Sequence, residues 1–236
     1  MLEYAKYMTP HMGKSATSAD KVGKYVKRPG EVCGKIRVVK GWFEIGQEVS
    51  RLTGHFAETH EQHSGDVVPS PEMFKTGGSF SRMSQLYRDL ELLSKRINET
   101  IEKVDPIFFK ALTELHKRAT AKHASLAAWK NVDPLLFEGR ELLFNQHSGR
   151  HRDSQDPKLA YAGLFAAGNF TSGGRLFFPQ LNLWVRLLPG DFVLLRGRVL
   201  EHEIEAWEKG QRISIPHFTH TSLWRDCELE DIVDVL

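Results

Sequence analysis

Residues 200–220 read LEHEIEAWEKGQRISIPHFTH, and the alternation within this stretch decides the fold. Acidic residues fall on the odd positions from 201 to 205, whereas Leu200, His202 and Ile204 occupy the even ones. Side chains on a β-strand alternate between its two faces. His202 is therefore expected to point inward and the three acids toward solvent.

Short runs of the same kind continue through the C-terminal half of the chain, separated by Gly and Pro turns. They cover residues 142–145, 159–167, 175–178, 183–188, 192–196, 200–204 and 212–220. Many short strands at regular spacing are typical of a sandwich or barrel, and a jelly roll fits this number.

Helices are predicted ahead of these strands. An apolar stripe with helical spacing runs through 81–104 and predicts one long helix there. Asp105-Pro106 then predicts a helix start, with Asp as the N-cap and Pro in the first turn. A further helix is expected over 47–57 and a loop over 59–80. The fold class is α+β, a double-stranded β-helix (jelly roll) with N-terminal helices packed against one sheet.

Four segments are expected within one compact domain. They are a basic extended arm (1–40), a helical and loop region (41–134), the β catalytic core (135–225) and an acidic tail (226–236). The arm is basic because residues 5–40 hold nine Lys or Arg and two acids. Such a segment could contact phosphates, or it could be a solvated surface.

Length, composition and net charge restrict the class of protein only loosely. The chain has 236 residues, a formal net charge of +2 and 41% hydrophobic residues, so it can bury a sizeable core and its net charge indicates no partner. Two distant cysteines form no disulfide framework. No signal-type or membrane-spanning stretch is visible. An intracellular, soluble and monomeric protein is the expectation.

His151-Arg152-Asp153 is the first candidate metal-binding pattern. On an extended backbone, residues two apart share a face, so the imidazole and the carboxylate can bind one ion. With the inward His202, they form the two-His-one-carboxylate set of non-haem Fe(II) sites. His147, four residues before His151, is an alternative ligand if the chain there is helical.

A carboxylate receptor is predicted on the last strand. Arg212 and Ser214 share a face, and a planar guanidinium turned inward requires an anion. A metal-bound 2-oxo acid with a distal carboxylate is 2-oxoglutarate, which we expect as co-substrate with O2. Asn145 is a further candidate near this co-substrate. His217 is expected on the outward face, and His55, His60 and His63 on a solvated surface.

Five motifs in the expected order resemble the catalytic core of the TET/JBP group of dioxygenases, and most closely its short fungal members. They are His151-Arg152-Asp153, Gly173-Gly174-x-Leu176 followed by Phe178-Pro179-x-Leu181, Pro189-Gly190-Asp191, Leu200-x-His202, and Arg212-Ile213-Ser214 continuing to Phe218-Thr219-His220. Members of this group oxidise methyl groups on bases in DNA. The resemblance implies the same iron and 2-oxoglutarate residues, and it covers about 138–225.

The resemblance also implies residues that hold a flipped-out base. Phe218 would stack on the base and His220 would contact its polar edge. Asp156 stands where the animal enzymes carry Asn. An ionised carboxylate accepts hydrogen bonds from the amine of cytosine or adenine but cannot donate to thymine O4. Arg140 is a candidate near the base or a phosphate.

The expected substrate is therefore DNA carrying 5-methylcytosine, oxidised to 5-hydroxymethylcytosine and further products. Demethylation of N6-methyladenine in DNA by the same machinery is the alternative, and hydroxylation of a protein or small molecule is a third possibility. A nuclear location is expected from this substrate class alone.

Overall fold

The computed structural model describes residues 1–8, 10, 24–43, 67–73 and 76–234. The helix expected over 47–57 and the histidines at 55, 60 and 63 lie outside these residues, as does much of the expected arm and loop. Helices cover Leu2–Met8, Gly77–Asp89, Glu91–Val104, Pro106–Lys122, Ala124–Ala127, Thr221–Asp226 and Glu230–Asp234, with 3-10 turns at Pro71–Met73 and Pro179–Leu181.

Ten strands are formed by the described residues. They are β1 Gly34–Val39, β2 Trp42–Phe43, β3 Val67–Val68, β4 Gly139–Phe144, β5 Ala162–Gly168, β6 Leu176–Phe178, β7 Leu183–Val185, β8 Phe192–Leu195, β9 Glu203–Ile204 and β10 Arg212–Phe218. A five-stranded sheet has the order β1-β4-β10-β5-β8, and a three-stranded sheet has the order β7-β6-β9. The paired strands are antiparallel. This mixture of helices and antiparallel sheets confirms the α+β class.

The three-stranded sheet is extended at β9 by a single antiparallel bridge between His151 and His202. Each residue donates its backbone N–H to the carbonyl of the other, at 3.0 and 2.9 Å. The chain crosses repeatedly between the two sheets, so that β4, β5, β8 and β10 lie in one and β6, β7 and β9 in the other. This crossing brings together the segments around His151 and His202, which are about fifty residues apart in the sequence and are hydrogen-bonded side by side.

The helices cover one face of the large sheet, as predicted. Ile213 and Ile215 of β10 pack in one core cluster with Leu142 of β4 and with Met83 and Leu86 of the Gly77–Asp89 helix. The outward face of β10 is therefore buried rather than exposed. His217 lies on this face and is fully buried, which corrects the expectation that it faces outward.

The long helix expected over 81–104 is two helices. The first ends at Asp89 and the second begins at Glu91. Leu90 between them has φ −93° and ψ 1°, outside the α-helical region. The apolar stripe continues across this break and therefore concealed it. The next helix begins as predicted, because the Asp105 carboxylate accepts from the Phe108 N–H at 2.9 Å.

Segments near both ends of the chain pack on the domain. Ile36 and Val38 predict a short strand at the end of the basic arm, and the structure confirms it, because β1 pairs along its whole length with β4. In the acidic tail, Leu229 and Val233 are buried in a core cluster, so the tail packs on the domain. Among the described residues, no helix has the length and apolar character needed to cross a membrane.

Because His217 is buried, we expect the folded protein to lose stability at acidic pH. Burial, with a smaller contribution from the Arg140 guanidinium, lowers the pKa of His217 from 6.5 to about 3. Between these pH values the unfolded chain binds a proton at His217 that the folded chain does not bind, so the free energy of unfolding falls as pH falls below 6.5. At pH 4.5 this amounts to about 2–3 kcal/mol.

We therefore expect His217→Asn to lose less stability than the wild type between pH 7 and pH 4.5, in urea unfolding followed by circular dichroism. The Asn amide can still donate to the Gly163 carbonyl, which accepts from His217 Nδ1 at 3.1 Å. Carboxylates that protonate in this range affect both proteins equally. Identical losses in the two proteins would show that His217 does not cause the effect.

Candidate metal centre and its cavity

His151, Asp153 and His202 meet where the two distant segments are bridged. Asp153 Oδ1 lies 3.5 Å from His151 Nε2, and Asp153 Oδ2 lies 3.8 Å from His202 Nε2. One potential ligand atom from each residue lies within 4.8 Å of the others. Among the described residues, this is the group of His, Cys, Asp and Glu side chains with a geometry that could hold a metal ion.

Backbone carbonyls orient both imidazoles. His151 Nδ1 lies 2.7 Å from the Gly149 carbonyl, and His202 Nδ1 lies 2.9 Å from the Leu200 carbonyl. Each Nδ1–H can donate to its carbonyl, which leaves the Nε2 lone pair directed toward Asp153. This is how metal-binding histidines are commonly fixed in one tautomer.

The charges at this site suit a cation. The nearby Asp153 carboxylate raises the pKa of His151 because it stabilises the doubly protonated ring, whereas burial lowers the pKa of His202. Burial would raise the pKa of Asp153, but its interactions with the two histidines outweigh this effect and the pKa is lowered. An anionic carboxylate between two imidazoles on one side of an open cavity is a donor set that fits Fe(II).

Gly197 supports Asp153 in a way that the sequence did not indicate. The Asp153 N–H donates to the Gly197 carbonyl at 2.9 Å. An added Cβ at Gly197 would lie 2.0 Å from Asp153 Oδ2, a distance that forces the carboxylate to move. Such a contact has no signature in spacing or periodicity, because Gly197 is 44 residues away from its partner.

Gly197→Ala is therefore expected to weaken metal binding about 10- to 100-fold while the fold is retained, as for other residues that hold a ligand in place. Titration of the apo protein with Fe(II) under anaerobic conditions measures this. Gly149→Ala is the matched control, because an added Cβ there meets nothing within 4 Å. Equal affinities of the two variants would contradict the role of Gly197.

A cavity of about 390 Å³ opens from this site into the space between the sheets. It is lined by all three candidate ligands and by Ser214, Asp156, Phe218 and His220, together with Glu141, Leu143, Gln146, Ser148, Leu164, Leu195 and others. The volume is in the range of small-molecule sites. Most of the side chains singled out in the sequence are thus brought to one cavity.

Arg212 lies directly behind Ser214 and has unused donors. Its side chain is 1% exposed, its Nη1 donates to Ser214 Oγ, and its Nε and Nη2 have no hydrogen-bond partner among the described residues. Burial lowers its pKa to about 10, which still leaves it charged at neutral pH. A buried guanidinium with two free donors fits a carboxylate.

Asn145 supports Arg212 from behind. Its Oδ1 accepts from the Arg212 backbone N–H at 2.8 Å, and its Nδ2 donates to the Glu31 carboxylate. Asn145 has φ 48°, the left-handed conformation that Asn tolerates better than most residues. The structure thus places Asn145 beside Arg212, and Asn145 is not among the residues that line the cavity.

The candidate base-binding residues Phe218, His220 and Asp156 line the same cavity. The rings of Phe218 and His220 are 5.0 Å apart and nearly perpendicular. Gly139 on β4 leaves room for Phe218, since an added Cβ would lie 2.2 Å from its ring. Asp156 is buried, and burial together with the charges of Asp153 and Glu138 raises its pKa well above the usual range.

A raised pKa favours the protonated form of Asp156 over the ionised carboxylate. A protonated carboxyl group donates as well as accepts, so the expected bias against thymine does not follow from Asp156 alone.

Arg140 does not reach the cavity. It pairs with His217 in the β4–β10 register and shares the helix-facing side of the sheet with it. There its Nη2 donates to Ser94 Oγ at 2.8 Å and lies 3.2 Å from Asp133 Oδ1. Gly139 shares the cavity-facing side of the sheet with its cross-strand partner Phe218. Alternation along β4 therefore places Arg140 on the opposite, helix-facing side. His147 does not line the cavity either.

The chain resembles known proteins in its fold. No family model matches the chain, and no curated protein matches it. NgTET1, solved in complex with 5mC DNA, superposes with a TM-score of 0.50 at 17% identity, over 66% of this chain and 56% of that one. The chain thus spans little more than half of the protein it matches, and the likeness shows a shared fold.

A viral collagen prolyl hydroxylase from Paramecium Bursaria Chlorella virus-1, solved as a 2OG complex, matches over 35% of this chain and 57% of its own. The identity is 20% and the TM-score is 0.28.

Proposed function

We propose that the protein is an Fe(II)- and 2-oxoglutarate-dependent dioxygenase built on a double-stranded β-helix. One observation carries the proposal: a buried guanidinium with two free donors, Arg212, stands behind the cavity that His151, Asp153 and His202 line. The fold shared with NgTET1 supports it, and so does the crossing of the chain between two antiparallel sheets.

In this proposal His151, Asp153 and His202 hold the iron through Nε2 and carboxylate oxygens. Arg212 and Ser214 bind the distal carboxylate of 2-oxoglutarate, and Asn145 holds the Arg212 backbone. Iron with 2-oxoglutarate and O2 supplies the oxidation of a substrate C–H bond. The protein's own work is to orient the co-substrate, exclude bulk water and place the methyl group.

The substrate we propose is a methylated base turned out of DNA, with 5-methylcytosine as the first candidate. NgTET1 was solved with 5mC DNA, and an aromatic ring and two polar side chains line the cavity of this chain. Phe218 stacks on the base, while His220 and Asp156 meet its polar edge, a combination suited to reading an unstacked base. A nuclear location follows only if this substrate is correct.

The test is nucleoside mass spectrometry after incubation with Fe(II), 2-oxoglutarate and matched oligonucleotides. The oligonucleotides carry 5-methylcytosine, N6-methyladenine or thymine at one position, and succinate is measured in parallel. We expect oxidation of 5-methylcytosine. Oxidation of N6-methyladenine alone would instead support the alternative DNA substrate.

Two other outcomes separate the class of enzyme from its substrate. Succinate formation with no oxidised base would support a hydroxylase that acts on a protein or small molecule. DNA binding should also weaken steeply with salt if phosphates are contacted. A failure to form succinate under any condition would contradict the dioxygenase proposal itself.

A further inference from the structure

We infer that Glu138 is a positioning residue, which fixes the tautomer and the orientation of His220 and thereby sets affinity for the substrate base. Glu138 immediately precedes β4 and has no signature in the sequence. The inference rests on the proposed function for its consequence on substrate, but its structural part is independent of that function.

The contacts of Glu138 converge on His220. The Glu138 side chain is 3% exposed, and its Oε1 accepts the His220 backbone N–H at 2.6 Å. The same oxygen lies 3.5 Å from His220 Nδ1. One carboxylate oxygen therefore faces both the main chain and the ring of the same residue.

The His220 ring is divided between protein and cavity. Nδ1 is shielded from solvent and has no hydrogen-bond partner among the described residues, whereas the side chain as a whole is 21% exposed and lines the cavity. A small rotation brings Nδ1–H into range of Glu138 Oε1. Hydrogen bonds of this kind are often long before a substrate binds.

The Glu138 carboxylate can select the tautomer of His220. An imidazole that donates from Nδ1 presents Nε2 on its other edge, so a bond to Glu138 determines which nitrogen faces the base. Phe218 packs against the ring at 5.0 Å and limits its rotation from the other side. The pair of contacts holds one edge of His220 toward the substrate.

The position of Glu138 on the fold explains its reach. β4 and β10 are neighbours, and Gly139 is paired with Phe218. Glu138 and His220 flank this pair, one before β4 and the other after β10. The carboxylate therefore reaches His220, which lines the cavity, without lining the cavity itself.

The first experiment is spectroscopic and needs no substrate. Nitrogen-15 NMR of the imidazole rings, with His220→Ala used for assignment, should show His220 protonated at Nδ1 in the wild type. In Glu138→Ala this preference should be lost. An unchanged His220 tautomer would overturn the inference even if the enzyme is active on DNA.

The second experiment measures the consequence for catalysis. Glu138→Ala is expected to raise KM for the methylated oligonucleotide roughly 10-fold. In a His220→Ala background the same substitution should have little further effect. An equal rise in KM in both backgrounds would mean that Glu138 acts through another group, which overturns the inference.

Glu138→Gln keeps the experiment interpretable if Glu138→Ala does not fold. Its amide oxygen can still accept the His220 backbone N–H, but it lacks the charge that favours an Nδ1–H donor. A smaller change in tautomer and in KM is expected in the same direction. Glu205→Gln, at a surface ion pair with Arg175, is the matched control and should leave both readouts unchanged.

Absence of succinate formation in the wild type would refute the proposed function. It would leave the NMR test of the Glu138–His220 contact standing, so the two failures are distinguishable.

Discussion

Asp153→Ala is expected to abolish Fe(II) binding and to lower 2-oxoglutarate turnover at least about 1,000-fold, because the metal contributes several kcal/mol to such reactions. Asp153 is the central member of the site, with carboxylate oxygens 3.5 and 3.8 Å from the two His Nε2 atoms. Without it, two imidazoles remain and the anionic ligand that offsets the ion's charge is lost.

The fold should survive this change. Asp153 is partly exposed, and the backbone bond from its N–H to Gly197 does not depend on the side chain. Circular dichroism and thermal unfolding check the fold, anaerobic titration checks Fe(II) binding, and succinate formation checks turnover. Asp231→Ala, on the exposed side of the last helix, is the control for removal of a carboxylate. Wild-type turnover in Asp153→Ala would refute the iron assignment.

Arg212→Met is expected to raise KM for 2-oxoglutarate about 100-fold, since hydrogen bonds to charged groups contribute about 1.5–3 kcal/mol each. Arg212→Lys should be nearly as damaging, because an ammonium cannot form the two parallel bonds of a guanidinium. The readouts are the dependence of succinate formation on 2-oxoglutarate concentration and the shift in Tm that 2-oxoglutarate produces.

In the absence of 2-oxoglutarate, Arg212→Met should stabilise the folded protein. Arg212 is 1% exposed with two donors unused, and such a buried charge is costly. Arg212→Met is therefore expected to raise the free energy of unfolding by about 1 kcal/mol or more. Arg186→Met, at an exposed ion pair, is the control and should change neither quantity. A destabilised Arg212→Met with unchanged KM would show that Arg212 is structural.

Short-range patterns predicted much of the fold and of the candidate site. Alternation placed His202, Arg212 and Ser214 on inner faces, and the described structure brings His202 and Ser214 to one cavity with Arg212 behind it. The N-cap at Asp105 was equally visible, because a cap depends on residues next to each other in the chain. Each of these features is a property of one strand or one helix end.

Features that depend on two segments were missed or misplaced. Arg140 was placed near the base, although its face was decided by pairing with β10 and its partner is Asp133. His217 was expected outward because alternation says which face a residue is on, but not whether a helical layer covers that face. The break at Leu90 was hidden because both helices bury the same apolar stripe.

The sequence by itself determined which groups the protein has for chemistry: a two-His-one-carboxylate set at strand spacing and an inward Arg-Ser pair. Their spacing within each strand follows from the geometry of the extended chain. Only the tertiary structure decided how they meet, through the bridge of His151 to His202, the approach of Gly197 to Asp153 and the contact of Glu138 with His220. These contacts join residues 44 to 82 positions apart, and local periodicity carries no information over such separations.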